Sequence, residues 1–289
     1  MVALQNVQRE EVHTKIDYFD DPGVPLVPMP GKPKRQPKIA TPVTIRNVRG
    51  CEDSFTLDKQ GFQYVKRKSK FTSFDDAELV KREHYPELEV MLQEVLETTK
   101  GLPKPSSIHM MTHIQRYSPV EGEAPKGPAG PLYGVHVDQS FAAAEGVAQR
   151  WLGDRAAELL QKPRYMIINI WRPVRTITRD PLAVCDAQSV PDSDLVFVPV
   201  QFPDHRTEAV EIRPPSHAGA HRWYFMDRQT PEDVLLFKQV DSYAGPGVPR
   251  RTPHCAFKDT GLEEGEGEPR QSIEIRAFVF FDQVISDEN

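Results

Sequence analysis

From Ser107 onward the apolar residues fall in short runs that are β-branched or aromatic and end at Pro, Gly, Asp or Ser. "SIHMMTHIQRY" (107–117), "YMIINIWRPV" (165–174), "SDLVFVPVQF" (193–202), "RWYFMD" (222–227), "DVLLFKQVDS" (233–242) and "SIEIRAFVFFD" (272–282) each read as a strand. "PVTIRNV" (42–48) and "GFQYVKR" (61–67) are earlier, weaker ones. Between Ser73 and Gly101 the period changes: Leu88, Met91, Leu92 and Leu96 recur at helical spacing after an acidic start, and Pro86 is expected to split the segment into two helices. A further helix is predicted over 141–160. Many strands at fairly regular spacing, with helices mostly before them, predict a mainly β fold with supporting helices, a jelly roll with its site inside the mouth.

Residues 1–42 break this pattern, being rich in proline and polar groups, and are expected to form an extended N-terminal arm on a single domain spanning 43–289. Such an arm can exchange between subunits, so a homodimer is one expectation. Composition is ordinary for a globular chain of 289 residues, 38% hydrophobic and 27% charged. The net charge of -6 argues against a general nucleic-acid binder, which needs a concentrated basic surface. The strongest basic run, in "PMPGKPKRQPK", is interrupted by prolines and reads as a solvated surface segment. Cys51, Cys185 and Cys255 are far apart and form no CxxC pair, so neither a disulfide framework nor a thiolate zinc site is indicated. No window approaches the roughly 20 apolar residues of a membrane span and the start has no apolar signal region, so a cytoplasmic protein that does not engage the membrane is expected.

The chemistry begins at "GVHVDQSF", where His136 and Asp138 stand two apart. On a strand that spacing puts an imidazole and a carboxylate on one face. "RRTPHCAF" brings His254 at the start of another strand, and two imidazoles with one carboxylate can occupy one face of an octahedral Fe(II), leaving positions for a co-substrate and dioxygen. His221 in "GAHRWYFM" is the rival third ligand. The remaining histidines are expected in surface or hydrogen-bonded structural roles. In "PRQSIEIRAFVFF", Arg270 and Ser272 share a strand face, and a guanidinium beside a hydroxyl suits the distal carboxylate of 2-oxoglutarate. Arg276, on the same face, is the reserve candidate, and a salt bridge to Glu274 is the structural alternative for either arginine. Asn169 and Arg172 in "NIWRPV" are candidates for touching co-substrate or substrate, while Tyr133, Trp171, Trp223, Tyr224 and Phe257 are candidate pocket walls.

Taken in order, "NVRGCEDSFTLDKQGFQYV", "GVHVDQS", "NIWRPV", "DPLAVCDAQSV", "DVLLFKQVDS", "RTPHCAF" and "RQSIEIRAFVFF" resemble the fungal hydroxylase/desaturase family of secondary metabolism, with its AsaB-like, CmcJ-like and gibberellin-desaturase-like members. The likeness runs from about Val43 to Phe281. It implies a double-stranded β-helix (cupin-like) core, Fe(II) on His136, Asp138 and His254, 2-oxoglutarate on Arg270 and Ser272, and hydroxylation or desaturation of a small natural-product intermediate with dioxygen. The insertion "GLEEGEGEP" between His254 and Arg270 departs from better-known plant relatives and leaves the choice between Arg270 and Arg276 open. Two alternatives stand beside this reading: the same chemistry on a protein or peptide side chain, and a non-catalytic cupin-like binding protein.

Overall fold

Thirteen strands in the described part of the chain divide into two sheets: β1 (Glu11–Phe19), β2 (Lys38–Asn47), β3 (Phe62–Lys66), β4 (Ser107–Tyr117), β5 (His136–Val137), β6 (Arg164–Pro173), β7 (Leu182–Cys185), β8 (Leu195–Gln201), β9 (Arg206–Ile212), β10 (Trp223–Phe225), β11 (Asp233–Asp241), β12 (His254–Ala256) and β13 (Gln271–Phe281). The structure, a computed structural model, describes residues 9–24, 37–118, 129–202, 204–261 and 267–284. Most of "PMPGKPKRQPK" and of the glycine- and glutamate-rich insertion lies outside the described residues.

One sheet is antiparallel with the order β3-β11-β6-β13-β4; the other has the order β1-β2-β10-β7-β12-β5-β9-β8. Period-two alternation gives each strand of the five-stranded sheet two distinct faces. Ile168, Ile170, Leu236, Ile273 and Ile275 point outward under Leu88, Leu92 and Leu96 of a helix, Tyr85–Thr98. Trp171, Leu235, Phe237, Phe62 and Tyr64 point inward and meet Leu182, Val184 and Val48 from the other side. Two sheets packed across one interior form the predicted double-stranded β-helix.

The helical stretch starts at Asp76, whose carboxylate accepts from Glu78 N and Leu79 N. It runs through a short α-helix, α1 (Ala77–Leu79), and a widened π turn, Val80–His84, into α2 (Tyr85–Thr98), where Pro86 occupies the first turn. The proline lacks the N–H that would bond back four residues, and the wide turn absorbs that loss without a break in the chain of turns. The later helix divides at Gly153, whose φ of +56 ends α3 (Ala144–Leu152) before the short α4 (Ala156–Leu159).

Within the expected arm, residues 11–19 form a strand of the body itself. β1 pairs along its whole length with β2, and the eight-stranded sheet curls until β1 reaches the other end: Val135 N–H donates to Asp17 O at 2.8 Å. Val12, Ile16 and Tyr18 fill the curl together with Val137, Val210, Trp223 and Phe257. The reason is visible in "EVHTKIDYF", where Val12, Thr14, Ile16 and Tyr18 alternate with polar residues and are all buried. This stretch, which a subunit exchange would have to release, is paired within its own chain.

Candidate metal centre and its pockets

Residues 136 and 254 are direct partners across the β5–β12 pairing, so one register position brings the two imidazoles side by side, with ring centroids 4.4 Å apart. Asp138 follows one residue beyond β5 on the same face. One ligand atom each from His136, Asp138 and His254 lies within 4.8 Å of the others. The orientation of the rings is set by the backbone: His136 Nδ1 donates to Gly134 O at 2.7 Å and His254 Nδ1 to Thr252 O at 3.1 Å. Carbonyls only accept, so both Nδ1 atoms carry the proton and both Nε2 lone pairs face Asp138. The Nε2–carboxylate separations of 3.6 and 3.7 Å are too long for hydrogen bonds and leave space between the three groups. Two neutral nitrogens and a carboxylate oxygen around a shared gap fit a divalent transition metal.

The electrostatics agree for Asp138 and His254, while Asp138 draws His136 toward its charged form until a metal competes for the same lone pair. Burial opposes charge on Asp138, but Arg276 and the two histidines hold its carboxyl well below the usual range. His254 is pushed down to about 3 by burial and by His136, which keeps its imidazole neutral. On His136 burial acts in the same sense but Asp138 outweighs it, so that ring is raised. Asp138 Oδ2 is further engaged by Arg276 at 2.9 Å and by Asn169 Nδ2 at 3.0 Å. Arg276 Nε in turn donates to Asn169 Oδ1 at 3.0 Å.

A narrow cleft of about 10 Å3 joins this cluster to the start of β13. His136, His254, Trp171, Leu182, Arg116, Glu274 and Arg270 line it. Arg270 is 2% exposed; its Nε donates to Ser272 Oγ at 3.2 Å, one terminal nitrogen donates to Asp180 O at 3.0 Å, and the guanidinium lies over the Trp171 ring at 5.4 Å. No described carboxylate lies within ion-pairing distance of it. Burial, reinforced by Arg116, pushes its pKa down to about 10, and it is charged at neutral pH. Arg276, by contrast, is satisfied by Asp138, Asn169 and Glu274.

Other expectations meet different outcomes. Arg172 points through the opposite face of β6 and donates to Arg67 O and Pro231 O at 3.2 and 2.9 Å, away from the cluster, as its alternation with Trp171 requires. His221 is held between Tyr18 OH and Asp194 Oδ2 at 3.0 and 2.9 Å and takes no part in the cluster. Trp223 and Phe257 belong to the core behind the eight-stranded sheet, and Tyr224 packs among Phe55 and Phe62. Tyr133 donates to Asp180 at 2.9 Å, beside Arg270. Arg116 and Gln239 were not singled out from sequence, and Glu274 was named there only as a salt-bridge partner, which it is for Arg276 at 3.4 Å. Glu274 is buried in the pocket with its pKa raised by burial and by Asp138, and Gln239 Oε1 accepts Asp138 N–H at 2.9 Å. For Glu274 the signal was available: it is a polar residue at an inward position of an apolar strand.

The fold is that of the jelly-roll oxygenases. The chain superimposes on the iron and alpha-ketoglutarate-dependent endoperoxidase NvfI with a TM-score of 0.75 at 23% identity, covering 94% of this chain and 99% of that one. It is 36% identical to the hydroxylase/desaturase CTB9 of Cercospora beticola over 257 residues, 83% of this chain and 76% of that protein. Similarity to the alpha-ketoglutarate-dependent dioxygenase phiK of Fungal sp. strain ATCC 74256 is 34% over 234 residues, 78% and 80% of the two chains. A family model described as an oxidoreductase/YMDC permease-like domain matches residues 16–280. The chain belongs to the fungal hydroxylase/desaturase family of Fe(II)/2-oxoglutarate-dependent dioxygenases. No helix among the described residues is long and apolar enough to cross a membrane.

Proposed function

We propose that His136, Asp138 and His254 hold the iron, that Arg270 with Ser272 receives the distal carboxylate of 2-oxoglutarate, and that the protein hydroxylates or desaturates a small natural-product intermediate. The observation that carries the reading is Arg270: a buried guanidinium with no carboxylate partner among the described residues, at the far end of a pocket whose near end is the ligand cluster. A buried cation left unpaired is costly, and a dicarboxylate reaching from the cluster to β13 relieves that cost. Arg276 has its carboxylates already, which supports Arg270 over the reserve candidate.

When bound, the iron and its co-substrate use dioxygen to remove hydrogen from an unactivated C–H bond, yielding succinate and carbon dioxide. The chain's own part is positional. Gly134 O and Thr252 O fix both imidazole tautomers, and Arg276 and Asn169 fix the Asp138 carboxylate. Trp171 walls the pocket and excludes water beside Arg270. The test is anaerobic loading with Fe(II), iron analysis, and succinate release from 2-oxoglutarate. Near-stoichiometric iron and turnover that His136→Ala abolishes are expected; a protein that binds neither metal nor 2-oxoglutarate, with His136→Ala behaving like the parent, refutes the reading.

A further inference from the structure

A second hollow, of about 220 Å3, begins at the residue after Asp138. Its floor is Gln239, at the bulge of β11 where the register with β6 shifts between Lys238 and Val240. Because Gln239 Oε1 accepts Asp138 N–H, the orientation of the amide is fixed and Nε2 is the end left over. Gln239 is 1% exposed, yet Nε2 is buried without a partner among the described residues, and so is Oε1 of Gln139 in the same lining. Buried amide groups are nearly always paired, and leaving one unpaired costs about 1–3 kcal/mol. An unmatched donor and an unmatched acceptor thus belong to residues that line the hollow, which begins one residue beyond Asp138 without touching the three candidate ligands themselves.

The walls have another character. Phe141, Leu195 and Phe197 line the hollow, and the two phenylalanines are 46% and 52% exposed. At the rim stands Arg250, its guanidinium 4.3 Å from the Phe141 ring centroid and its Nε donating to Asp241 O at 3.1 Å. No described carboxylate pairs with Arg250, whereas the adjacent Arg251 is bound to Asp192. The same arginine borders a wider groove of about 390 Å3 beside Pro191 and Val248, which gives room for a larger ring system.

We propose that this hollow is the substrate site, shaped for an apolar, ring-containing molecule that bears an acid group: Arg250 takes the acid, and Gln239 Nε2 takes a neutral oxygen of the same molecule next to the metal cluster. Aromatic walls accept ring faces, a cation held flat on a phenylalanine recognises a carboxylate, and the single fixed amide donor selects where an oxygen lies. This deepens the reading under Proposed function and rests on it for what is done to the bound molecule.

The test is calorimetric binding of 2-naphthoic acid, abietic acid and their methyl esters to the full chain loaded with Mn(II) and 2-oxoglutarate under argon. Each acid is expected to bind tenfold or more tightly than its ester. Arg250→Met should remove that preference while leaving the affinity for the esters within twofold. Gln239→Glu keeps the acceptor for Asp138 N–H but replaces the donor, and should weaken methyl 2-naphthoate about tenfold. Failure of the parent to bind Mn(II) or 2-oxoglutarate would count against the metal site itself. On a parent that binds both, acids that bind no better than their esters, no binding by any of the four, or a preference that survives Arg250→Met would overturn the substrate assignment alone.

Discussion

Replacing Arg270 with methionine removes the guanidinium while keeping much of the side chain's length, and two opposite effects follow. Losing one partner of a buried, hydrogen-bonded charge pair costs about 2–5 kcal/mol. At about 1.4 kcal/mol per factor of ten, the dissociation constant for 2-oxoglutarate should rise roughly 30- to 3,000-fold. Without ligand the sign reverses. Burial has brought Arg270 from 12.5 to about 10, so carrying the charge at that position costs on the order of 3 kcal/mol. Methionine escapes that cost but gives up the bonds to Ser272 and Asp180, so the ligand-free melting temperature should stay level or rise by a few degrees. In the parent, 2-oxoglutarate at a hundred times its dissociation constant should add about 2.7 kcal/mol of stability. In Arg270→Met the same concentration should add less than about 1 kcal/mol. Differential scanning fluorimetry with Mn(II), with and without 2-oxoglutarate, reads both effects, and Arg276→Met is the control. If Arg270→Met keeps the 2-oxoglutarate shift, or Arg276→Met loses it while still binding Mn(II), the assignment of the anchor is wrong.

Arg276→Met should instead act on the metal, weakening Mn(II) binding about 10- to 100-fold in a titration followed by electron paramagnetic resonance, because Asp138 loses its charged support. His254→Ala should abolish measurable iron in the purified protein while leaving its circular dichroism unchanged; iron retained at parental stoichiometry would remove residue 254 from the ligand set. Buried against Phe71 and Phe74, His84 is pushed down to about 4. The unfolded chain takes up that proton first as pH falls, so the stabilisation is complete above about 6.5 and is lost between 6.5 and 4, by about 3 kcal/mol. Urea unfolding across that window should show the slope, and His84→Leu should flatten it. Tyr18→Phe removes the bonds to Trp223 and His221 and should cost about 1–3 kcal/mol in the same assay; no loss would mean that β1 is not an integral part of the curled sheet.

Strand periodicity made the body of the fold legible, because each face of the five-stranded sheet meets one environment throughout: Ile273 and Ile275 under the helix, Ser272 and Arg276 toward the interior. The His136–Asp138 spacing was legible for the same reason. Pairing of His136 with His254 was not, since register across β5 and β12 is a long-range fact that no local pattern encodes. The reading of residues 1–42 missed β1 because prolines outside it dominated the composition, although "EVHTKIDYF" alternates as clearly as any later strand. Arg172 shows the converse error: a residue type suited to the chemistry on the wrong side of a strand whose inward members, Asn169 and Trp171, had been identified. Gln239 stayed hidden because its role arises from a bulge, which shifts the face a side chain occupies without leaving a mark in the sequence.

The interior charges explain why metal and co-substrate should bind as a pair. Among the described residues Arg116, Arg270 and Arg276 stand against Asp138 and Glu274, with Asp180 beside Arg270, and Glu274 is the weaker anion because burial and Asp138 both raise its pKa. Adding a divalent cation alone increases an excess of positive charge in a low-dielectric space, and adding a dicarboxylate alone leaves Asp138 and Glu274 beside a new anion. Together the two neutralise each other and supply Arg270 with its missing partner. Thermodynamic reciprocity then requires that Mn(II) strengthen 2-oxoglutarate binding by the same factor by which 2-oxoglutarate strengthens Mn(II) binding. Arg270→Met should shrink that shared factor from both sides, since the variant no longer has a buried cation for the dicarboxylate to satisfy.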